Sequence, residues 1–295
     1  MNAFPSRESY EKFSQKLREQ QHKPGLYLVA TPIGNIFDIS LRALYILGIS
    51  ERIFAEDTRR SRKLLNFYGI KTPLISCREH NEDDFSVLSE IREGGVYSLI
   101  SDAGTPLISD PGYRLVNRCL ERRTDVFPIP GPSSAVAGLI ASGLPTDRFL
   151  FQGFLPAKSS ARRTDLKELK EIRATLVFFE SPGRVLQTLE DMLEIFGERR
   201  CCICREITKI FEEFRRGNLS EMIHRFSETE PIGEFVLVIE GNNGKAVDEA
   251  AGLFELAELL KTETLKSAVD RIARKYGLSR KKAYEKALQI KGEIR

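Results

Sequence analysis

Short apolar runs alternate with amphipathic segments through the first half of the chain. Apolar, β-prone runs lie at residues 26–30, 52–55, 74–77, 96–100 and 126–129. Between and after them, apolar residues recur with helical spacing around residues 41–48, 58–68, 85–91, 114–120 and 133–141. Strands that alternate with helices favour a mainly parallel sheet with helices on both faces. The pattern therefore predicts an α/β fold.

The second half carries a further α/β pattern. Strand-like runs at residues 175–180, 201–205 and 235–240 enclose helical patterns near residues 185–196 and 219–226. The stretch 142–156 before them, which contains several Gly and Pro residues, is typical of a crossover between domains. We thus expect a flexible extension over residues 1–24, α/β domains over 25–145 and 146–243, and a helical module over 244–295.

The C-terminal segment combines a helical stripe with concentrated basic charge. Leu265, Ala268 and Ile272 fall on one helical face, and a second helix follows Gly277. Residues 261–295 contain eleven Lys or Arg and four Asp or Glu, whereas the whole chain has a formal net charge of only +3. Basic charge gathered at one end can meet phosphate, although a solvated helical tail gives the same count.

Several classes of protein are excluded by what the sequence lacks. It contains neither the Gly-rich dinucleotide fingerprint nor a P-loop nor a nucleophile elbow. No apolar run approaches the roughly 20 residues that span a bilayer, and residues 1–23 lack the apolar centre of a signal peptide. We therefore expect a cytoplasmic protein without membrane contact. His22, His80 and His224 are scattered and the five cysteines form no zinc pattern, so no metal is expected.

Gly- and Pro-rich loops follow three of the predicted strands. They carry TPIGN at residues 31–35, SDAGTPLISDPG at 101–112 and PIPGPSSA at 128–135. Glycine lets a backbone come close to a ligand, and proline holds a loop rigid. Parallel sheets bind ligands beyond the carboxyl ends of their strands. One such loop alone would be an ordinary tight turn, but three at one sheet edge favour a ligand site.

These loops, taken with two further motifs, resemble a known family. The runs at residues 29–35, 54–59, 101–112, 130–134 and 178–182 are similar, in order, to motifs of the tetrapyrrole methylase superfamily. Within it they resemble the branch that methylates the ribose 2′-oxygen of a cytidine in small-subunit ribosomal RNA, and the basic C-terminal helices also fit that branch. The resemblance implies two α/β domains of the tetrapyrrole methylase type, with S-adenosylmethionine in the cleft between them, and a homodimer.

The resemblance also assigns residues to the cofactor site. The loop around Thr105 matches the one that holds the amino-acid portion of the cofactor, and a second cofactor loop lies at residues 130–134. Two residues of the second domain would cover the cofactor, and one residue of the first loop would border the cleft. The full set implied is Pro32, Gly104, Thr105, Pro106, Ile108, Ser133, Ser134, Glu180 and Ile207.

Methyl transfer to a ribose hydroxyl calls for a group that accepts the hydroxyl proton. Asp57, His80 and Glu82 are the candidates for this general base. The helix after Asp57 is basic, and its residues at i, i+3 and i+4 share a face from which Arg60 diverges. A capped, solvated helix is the alternative interpretation. For small-subunit ribosomal RNA, free or in the assembled subunit, we expect contacts from Arg59, Arg62, Lys63, Arg280, Lys281 and Lys282.

Two other functions fit parts of the sequence. A methylase of a tetrapyrrole-like small molecule would keep the fold, but it would not need the arginine-rich helix or the basic C-terminal helices. A non-enzymatic nucleic-acid binder could use residues 265–288 as a helix-turn-helix. That second alternative leaves the three Gly- and Pro-rich loops without a role.

Overall fold

The computed structural model describes residues 6–20, 22–78, 85–228, 231–242, 249–276 and 280–293. The chain divides into two compact units. The first comprises residues 1–138 together with 205–213, and the second comprises residues 139–204 together with 214–295. The segment 205–213, which the sequence predicts to lie in the second domain, therefore belongs to the first unit.

The first unit alternates strands and helices. In chain order its elements are α1 (Arg7–Glu19), β1 (Gly25–Val29), α2 (Leu41–Ile49), β2 (Arg52–Ala55), α3 (Thr58–Phe67), β3 (Leu74–Ser76), α4 (Phe85–Leu88), β4 (Val96–Ile100), α5 (Tyr113–Glu121), β5 (Val126–Ile129) and α6 (Ser134–Ser142), the last of which continues into the second unit. The five predicted strands are all present, each within about two residues of its predicted bounds.

The strands of the first unit form one parallel sheet in the order β3-β2-β4-β1-β5. Such a sheet is covered on both faces, so successive residues of a strand are buried on opposite sides. Ile53 packs in a cluster with Ile46 of α2 on one face, whereas its neighbour Phe54 packs with Leu115 of α5 on the other. The predicted α/β architecture is confirmed for this unit.

The helices that follow β1 and β4 lie on opposite faces of the sheet. The helix that follows β1 is α2, and the helix that follows β4 is α5, so the two helices cover different faces. Because β1 and β4 are neighbours, their carboxyl ends border a crevice of the kind where open α/β sheets bind ligands. The TPIGN and SDAGTPLISDPG sequences form the loops at this crevice.

The second unit is built around a mixed sheet. Its elements are β6 (Phe149–Phe154), α7 (Ser159–Leu169), β7 (Thr175–Glu180), α8 (Val185–Phe196), β8 (Arg200–Arg205), β9 (Glu213–Asn218), α9 (Leu219–Glu228), β10 (Phe235–Ile239), α10 (Glu249–Leu259), α11 (Leu265–Tyr276) and α12 (Arg280–Glu293). The strand order is β6-β7-β10-β8-β9, with β6 parallel and β10 antiparallel to β7. Phe178, Leu189 and Leu237 are buried in its core.

The three C-terminal helices share a core of their own. Ala268, Val269 and Ile272 of α11 pack in one cluster with Leu256 of α10 and Ala287 of α12. The predicted apolar stripe of this segment therefore faces inward, which leaves its charged residues on the outside. Of the described helices, these three included, none is long and apolar enough to cross a membrane.

Three elements differ from their predictions. Arg7–Glu19 is a helix with Ser6 as its N-cap, where the sequence predicts a flexible extension. Phe149–Phe154, of sequence FLFQGF, is a strand within the predicted crossover, where the Gly and Pro residues of the stretch 142–156 indicate a loop although the strand itself is apolar. Glu213–Asn218 is a strand of sequence EFRRGN with no apolar alternation, because none of its residues is fully buried.

Candidate active site

The loop after β4, residues 101–112, is fastened to the loops after β1 and β5. The Thr31 N–H donates to the Gly104 carbonyl at 2.8 Å, and the Gly104 N–H donates back to the Thr31 carbonyl at 3.1 Å. The Thr105 hydroxyl donates to the Pro132 carbonyl at 3.0 Å. The three Gly- and Pro-rich loops, which we call the connected loops, therefore form one structure at the carboxyl edge of the sheet.

Gly104 makes the backbone hydrogen bonds that join the loop after β4 to the loop after β1. Its φ is +84°, a conformation that L side chains rarely adopt, and a Cβ there would lie 3.2 Å from Cγ2 of Ile33. Both its N–H and its carbonyl are bonded to Thr31. The sequence predicts that a glycine in this loop lets the backbone approach a ligand, and this stays a prediction. The structure adds a second reason for glycine at this position, because Gly104 joins the two loops.

Two non-glycine residues of the same loop hold a left-handed backbone. The φ angle is +71° at Leu107 and +65° at Ser109. Such a conformation costs on the order of 1–3 kcal/mol and is found most often at functional sites. Ile108 lies between them and is 41% exposed. The strained turn therefore presents an apolar side chain to solvent, in the loop predicted to hold the cofactor.

Asp102 joins the same loop to the segment after β2. Its Oδ1 accepts a hydrogen bond from the Asp57 N–H at 3.0 Å, and its Oδ2 accepts one from Nη1 of Arg60 at 3.1 Å. Arg78, which follows β3, donates from Nε to the Glu56 carbonyl at 3.2 Å. The segments after β2, β3 and β4 are thus held together on the β3 side of the sheet.

A cavity of about 730 Å³ opens beside these contacts. Four carboxylates and three guanidinium groups line it, together with two hydroxyl-bearing residues and a proline: Glu56, Asp57, Asp102, Asp110, Arg60, Arg78, Arg114, Ser109, Tyr113 and Pro111. All of these residues belong to the first unit. Such a lining suits a ligand that carries both hydroxyl groups and negative charge.

Asp110 has an unusual environment among the carboxylates of this cavity. Burial raises the pKa of Asp110 to about 6; a hydrogen bond with Ser101 opposes the rise, and the Glu56 and Asp102 carboxylates add to it. Burial also raises the pKa of Glu56. A carboxylate with a pKa near 6 is mostly ionised at neutral pH and is a stronger base than an ordinary one.

Asp57 is the N-cap of α3. Its Oδ1 accepts the Arg59 N–H at 2.8 Å, and the Arg59 guanidinium contacts Oδ1 at 3.3 Å and Oδ2 at 3.1 Å. These bonds from Arg59 lower the pKa of Asp57 to about 2. A carboxylate with so low a pKa is a weak base. The geometry therefore favours the capping alternative over the predicted role of Asp57 as general base.

Replacing Asp57 with Asn or with Ala tests this assignment. Asn caps a helix about as well as Asp, so Asp57→Asn should retain normal stability, and it should retain most of the methyl transfer because the amide keeps the size of the side chain. Asp57→Ala removes the cap and should lower the free energy of unfolding. Denaturant unfolding and single-turnover transfer assays measure the two effects. A folded Asp57→Asn protein without transfer activity would restore Asp57 as the base.

The chain matches the family model of Tetrapyrrole (Corrin/Porphyrin) Methylases over residues 25–223. The chain belongs to this family. It is 48% identical over 240 residues to Ribosomal RNA small subunit methyltransferase I of Halalkalibacterium halodurans, which covers 81% of this chain and 83% of the relative. It is 42% identical over 273 residues to the protein of the same name from Escherichia coli O157:H7, which covers 90% of this chain and 96% of the relative.

A solved structure supports the same fold for this tetrapyrrole methylase. Uroporphyrin-III-C-methyltransferase from Thermus thermophilus is 23% identical, with a TM-score of 0.53, and the match covers 74% of this chain and 95% of that chain. The predicted fold class, with two sheets of α/β type, is thereby confirmed, and the C-terminal helices of the module are present in the structure.

This tetrapyrrole methylase uses S-adenosylmethionine as its cofactor. The connected loops fit the mixed character of that molecule. Ile108 offers an apolar surface, while Ser133 and Ser134 lie at the start of α6, where helix N–H groups can bind a carboxylate. The Thr105 hydroxyl donates its hydrogen to the Pro132 carbonyl, so its oxygen can still accept a hydrogen bond from an ammonium group. Pro106 is buried and Pro32 is half-buried within the same loops.

Glu180 of this methylase has both carboxylate oxygens engaged within the second unit. Oε1 accepts the Ser181 N–H at 2.7 Å and Nε of Arg184 at 2.8 Å, and Oε2 accepts the Thr188 hydroxyl at 2.7 Å. The side chain is buried. These bonds fasten the turn after β7 to α8. The predicted contact of Glu180 with the cofactor stays a prediction.

Ile207 lies in the segment 205–213, which belongs to the first unit. The Asn35 N–H donates to the Thr208 hydroxyl at 3.0 Å, and a Cβ at Gly34 would lie only 2.8 Å from the Thr208 Oγ1. Gly34 therefore lets residues 205–213 approach the loop after β1. Sequence reasoning missed this contact, because it joins residues far apart in the chain.

The basic residues of α3 do not share one role. Arg59 is paired with Asp57, Arg62 donates to a backbone carbonyl before β3 at 3.4 Å, and Lys63 is exposed. Arg60, which the helical spacing separates from the predicted RNA face, lines the cavity. RNA contacts from Arg59, Arg62 and Lys63 stay a prediction. The structure adds Arg60 to the residues that could meet a ligand.

Some predicted residues lie outside the described part of the chain. His80 and Glu82 both fall within residues 79–84, and the side chains of Lys281 and Lys282 are likewise not described, although their backbone lies in α12. Arg280 is described, and its guanidinium is paired with the Asp270 carboxylate of α11. The assignments of these residues to catalysis and to RNA binding stay predictions.

Proposed function

We propose that this protein transfers a methyl group from S-adenosylmethionine to the ribose 2′-oxygen of a cytidine in small-subunit ribosomal RNA. The extent of the match with the Escherichia coli relative supports this most. That match covers 90% of the chain, so it includes α10, whereas the family model ends at residue 223. The likeness thus extends beyond the family model into the C-terminal helical module. The basic charge of residues 261–295 in that module would not be needed by a methylase of a small acceptor.

The chain's contribution to this reaction is to bind, to orient and to accept a proton. S-adenosylmethionine, when bound, supplies a methyl group made electrophilic by its sulfonium charge. The connected loops hold the cofactor in one orientation, and correct alignment of the reacting atoms is worth several kcal/mol of the barrier. The ribose hydroxyl must also lose a proton, for which a nearby carboxylate is suited.

We further propose that the protein acts in the cytoplasm as a homodimer. Both proposals rest on the family resemblance. Light scattering during gel filtration measures the mass in solution. A mass of one chain at micromolar concentration would contradict the dimer.

The transfer assay separates the proposed function from its alternatives. Purified protein is incubated with labelled S-adenosylmethionine and small ribosomal subunits from a strain that lacks the enzyme, and in parallel with a tetrapyrrole macrocycle. We expect label in the RNA and none in the macrocycle. Subunits from a strain that has the enzyme are already methylated and should accept little label. Label in the macrocycle alone would favour the tetrapyrrole methylase, and failure to bind the cofactor would favour the non-enzymatic binder.

A further inference from the structure

We propose that the cavity beside the loop 101–112 binds the acceptor nucleotide, and that Asp110 receives the proton of its 2′-hydroxyl. This inference rests on the proposed function and assigns the position and the base within it. Neither Asp110 nor the cavity follows from the spacing of residues in the sequence, because the lining comes from segments that are distant in the chain.

The position of the cavity follows from how the loop 101–112 is fastened. Gly104 and Thr105 of this loop bond to the loops after β1 and β5, whereas Asp102 of the same loop bonds to the segment after β2. Asp102 and Asp110 both line the cavity. The loop 101–112 therefore contacts the loops after β1 and β5 on one side and lines the cavity on the other. In-line transfer needs the acceptor oxygen beside the methyl group, and this shared loop brings the two ligands together.

The chemistry of the lining suits a nucleotide in RNA. Arg60, Arg78 and Arg114 offer guanidinium groups, which bind phosphate through paired N–H donors. The carboxylates can accept hydrogen bonds from ribose hydroxyls. A volume of about 730 Å³ lies within the range of sites that hold small ligands. Within the described part of the chain, no group of three or more His, Cys, Asp or Glu is placed to hold a metal ion.

Asp110 is better suited to accept a proton than Asp102 or Asp57, two other carboxylates of the cavity. Asp102 binds the Asp57 N–H and Arg60, and Asp57 binds Arg59. Burial raises the pKa of Asp110 to about 6, so it is both ionised at neutral pH and basic. The titratable and charged groups that share the cavity with it are Glu56, Asp57, Asp102, Arg60, Arg78, Tyr113 and Arg114.

The proposed step balances in atoms and charge. The ribose oxygen forms a bond to the methyl carbon while the carbon–sulfur bond breaks, and the electron pair of that bond stays on sulfur. The hydroxyl proton passes to the Asp110 carboxylate and afterwards to water. The sulfonium loses its positive charge as the carboxylate loses its negative charge, so no further co-reactant is needed.

Asp110→Asn tests the base, because it keeps the size of the side chain and removes its basicity. We expect single-turnover transfer to fall by about 100-fold or more, with unchanged affinity for cofactor and for RNA. The matched control is Asp125→Asn, an exposed residue of the same unit that precedes β5. That variant should behave as wild type.

The pH dependence distinguishes a base from a structural residue. The wild-type rate should rise with pH through about 6 and then level off, because Asp110 must be ionised to accept the proton. Asp110→Glu should keep such an inflection, and Asp110→Asn should lose it. Carbon NMR of the cofactor-free protein should show the pKa of the Asp110 carboxyl raised above that of an ordinary Asp, to about 6, which is a readout independent of activity.

Arginine substitutions test the cavity as the RNA site. Arg114→Ala and Arg60→Ala should each weaken binding of the RNA to cofactor-free protein by about tenfold, the effect of losing one charged hydrogen bond. Cofactor affinity should not change. Arg118 lies one turn after Arg114 on α5 and pairs with Glu121 at 2.9 Å, outside the cavity lining. Arg118→Ala should therefore bind RNA as wild type does.

The outcomes separate this inference from the proposed function. If wild type transfers no methyl group to RNA, the proposed function fails and this inference fails with it. If wild type is active and folded Asp110→Asn is equally active with the same pH profile, only the assignment of Asp110 is overturned. Should Asp110→Asn not fold, a wild-type rate that is independent of pH between about 5 and 8 overturns it instead. Normal RNA binding by both arginine variants overturns the cavity as the RNA site.

Discussion

Gly104→Val should lower the affinity for S-adenosylmethionine by roughly 100-fold, or about 2.8 kcal/mol. A Val at this position would have to adopt φ near +84°, where β-branched residues are genuine outliers, and its Cβ would press on Ile33. The backbone would escape this strain by breaking the two hydrogen bonds with Thr31. The loop that contains Thr105 and Ile108 would then be displaced from the loop after β1. Calorimetry on the folded variant measures the affinity.

The control for this variant is Gly69→Val. Gly69 also has a left-handed backbone, with φ of +68°, but a Cβ there meets nothing within 4 Å. Both variants thus place a Val in a strained, left-handed backbone conformation, whereas only Gly104→Val disturbs the connected loops. Gly69→Val should lose some stability and bind the cofactor normally. Undiminished affinity in folded Gly104→Val would remove the connected loops as the cofactor site.

Truncation after Gly244 should leave cofactor binding intact and weaken RNA binding by roughly 100-fold, since most non-specific affinity comes from phosphate contacts. The cut removes α10, α11 and α12, which share a core of their own, and the first unit with its connected loops is kept. The segment that is lost holds eleven Lys or Arg after residue 260. Binding measured against salt concentration should therefore show a shallower slope as well as a lower affinity.

A charge variant of the full chain controls for the loss of the helices themselves. Arg280→Ala with Lys281→Ala and Lys282→Ala keeps the apolar core of the three helices and removes three positive charges. If all three contact phosphate, the slope of log affinity against log salt should fall by about 2. A truncated protein with unchanged RNA affinity and unchanged slope would show that this segment is only a solvated cap.

The fold could be predicted largely because buried strands are apolar throughout. Each strand of the parallel sheet is covered on both faces, so runs such as Gly25–Val29 and Val96–Ile100 stand out from the polar segments around them. Glu213–Asn218 shows the limit of that signal. It is a half-buried strand of mostly polar residues, and its pairing within the sheet is not visible in local sequence.

The sequence predicts the separate loops of the site but not the contacts between them. The composition of the loops indicates rigid backbone at the sheet edge, and this is what Thr31 and Gly104 form. The hydrogen bond between Asp57 and Asp102 joins residues 45 positions apart. The raised pKa of Asp110 likewise depends on its burial and on the Glu56 carboxylate of another segment, neither of which has a signal in the local sequence. Helical spacing separates Arg60 from Arg59, Arg62 and Lys63, yet it could not show that Arg60 lines a cavity.

Nucleoside mass spectrometry of the methylated RNA tests the proposed function most directly. Small subunits from a strain lacking the enzyme are incubated with wild-type protein and isotopically labelled S-adenosylmethionine, and the RNA is digested to nucleosides. The proposed function predicts a single labelled product, a cytidine whose added mass stays with the ribose when the base is cleaved from the sugar. A label that leaves with the base, or that lies on another nucleoside, would contradict it.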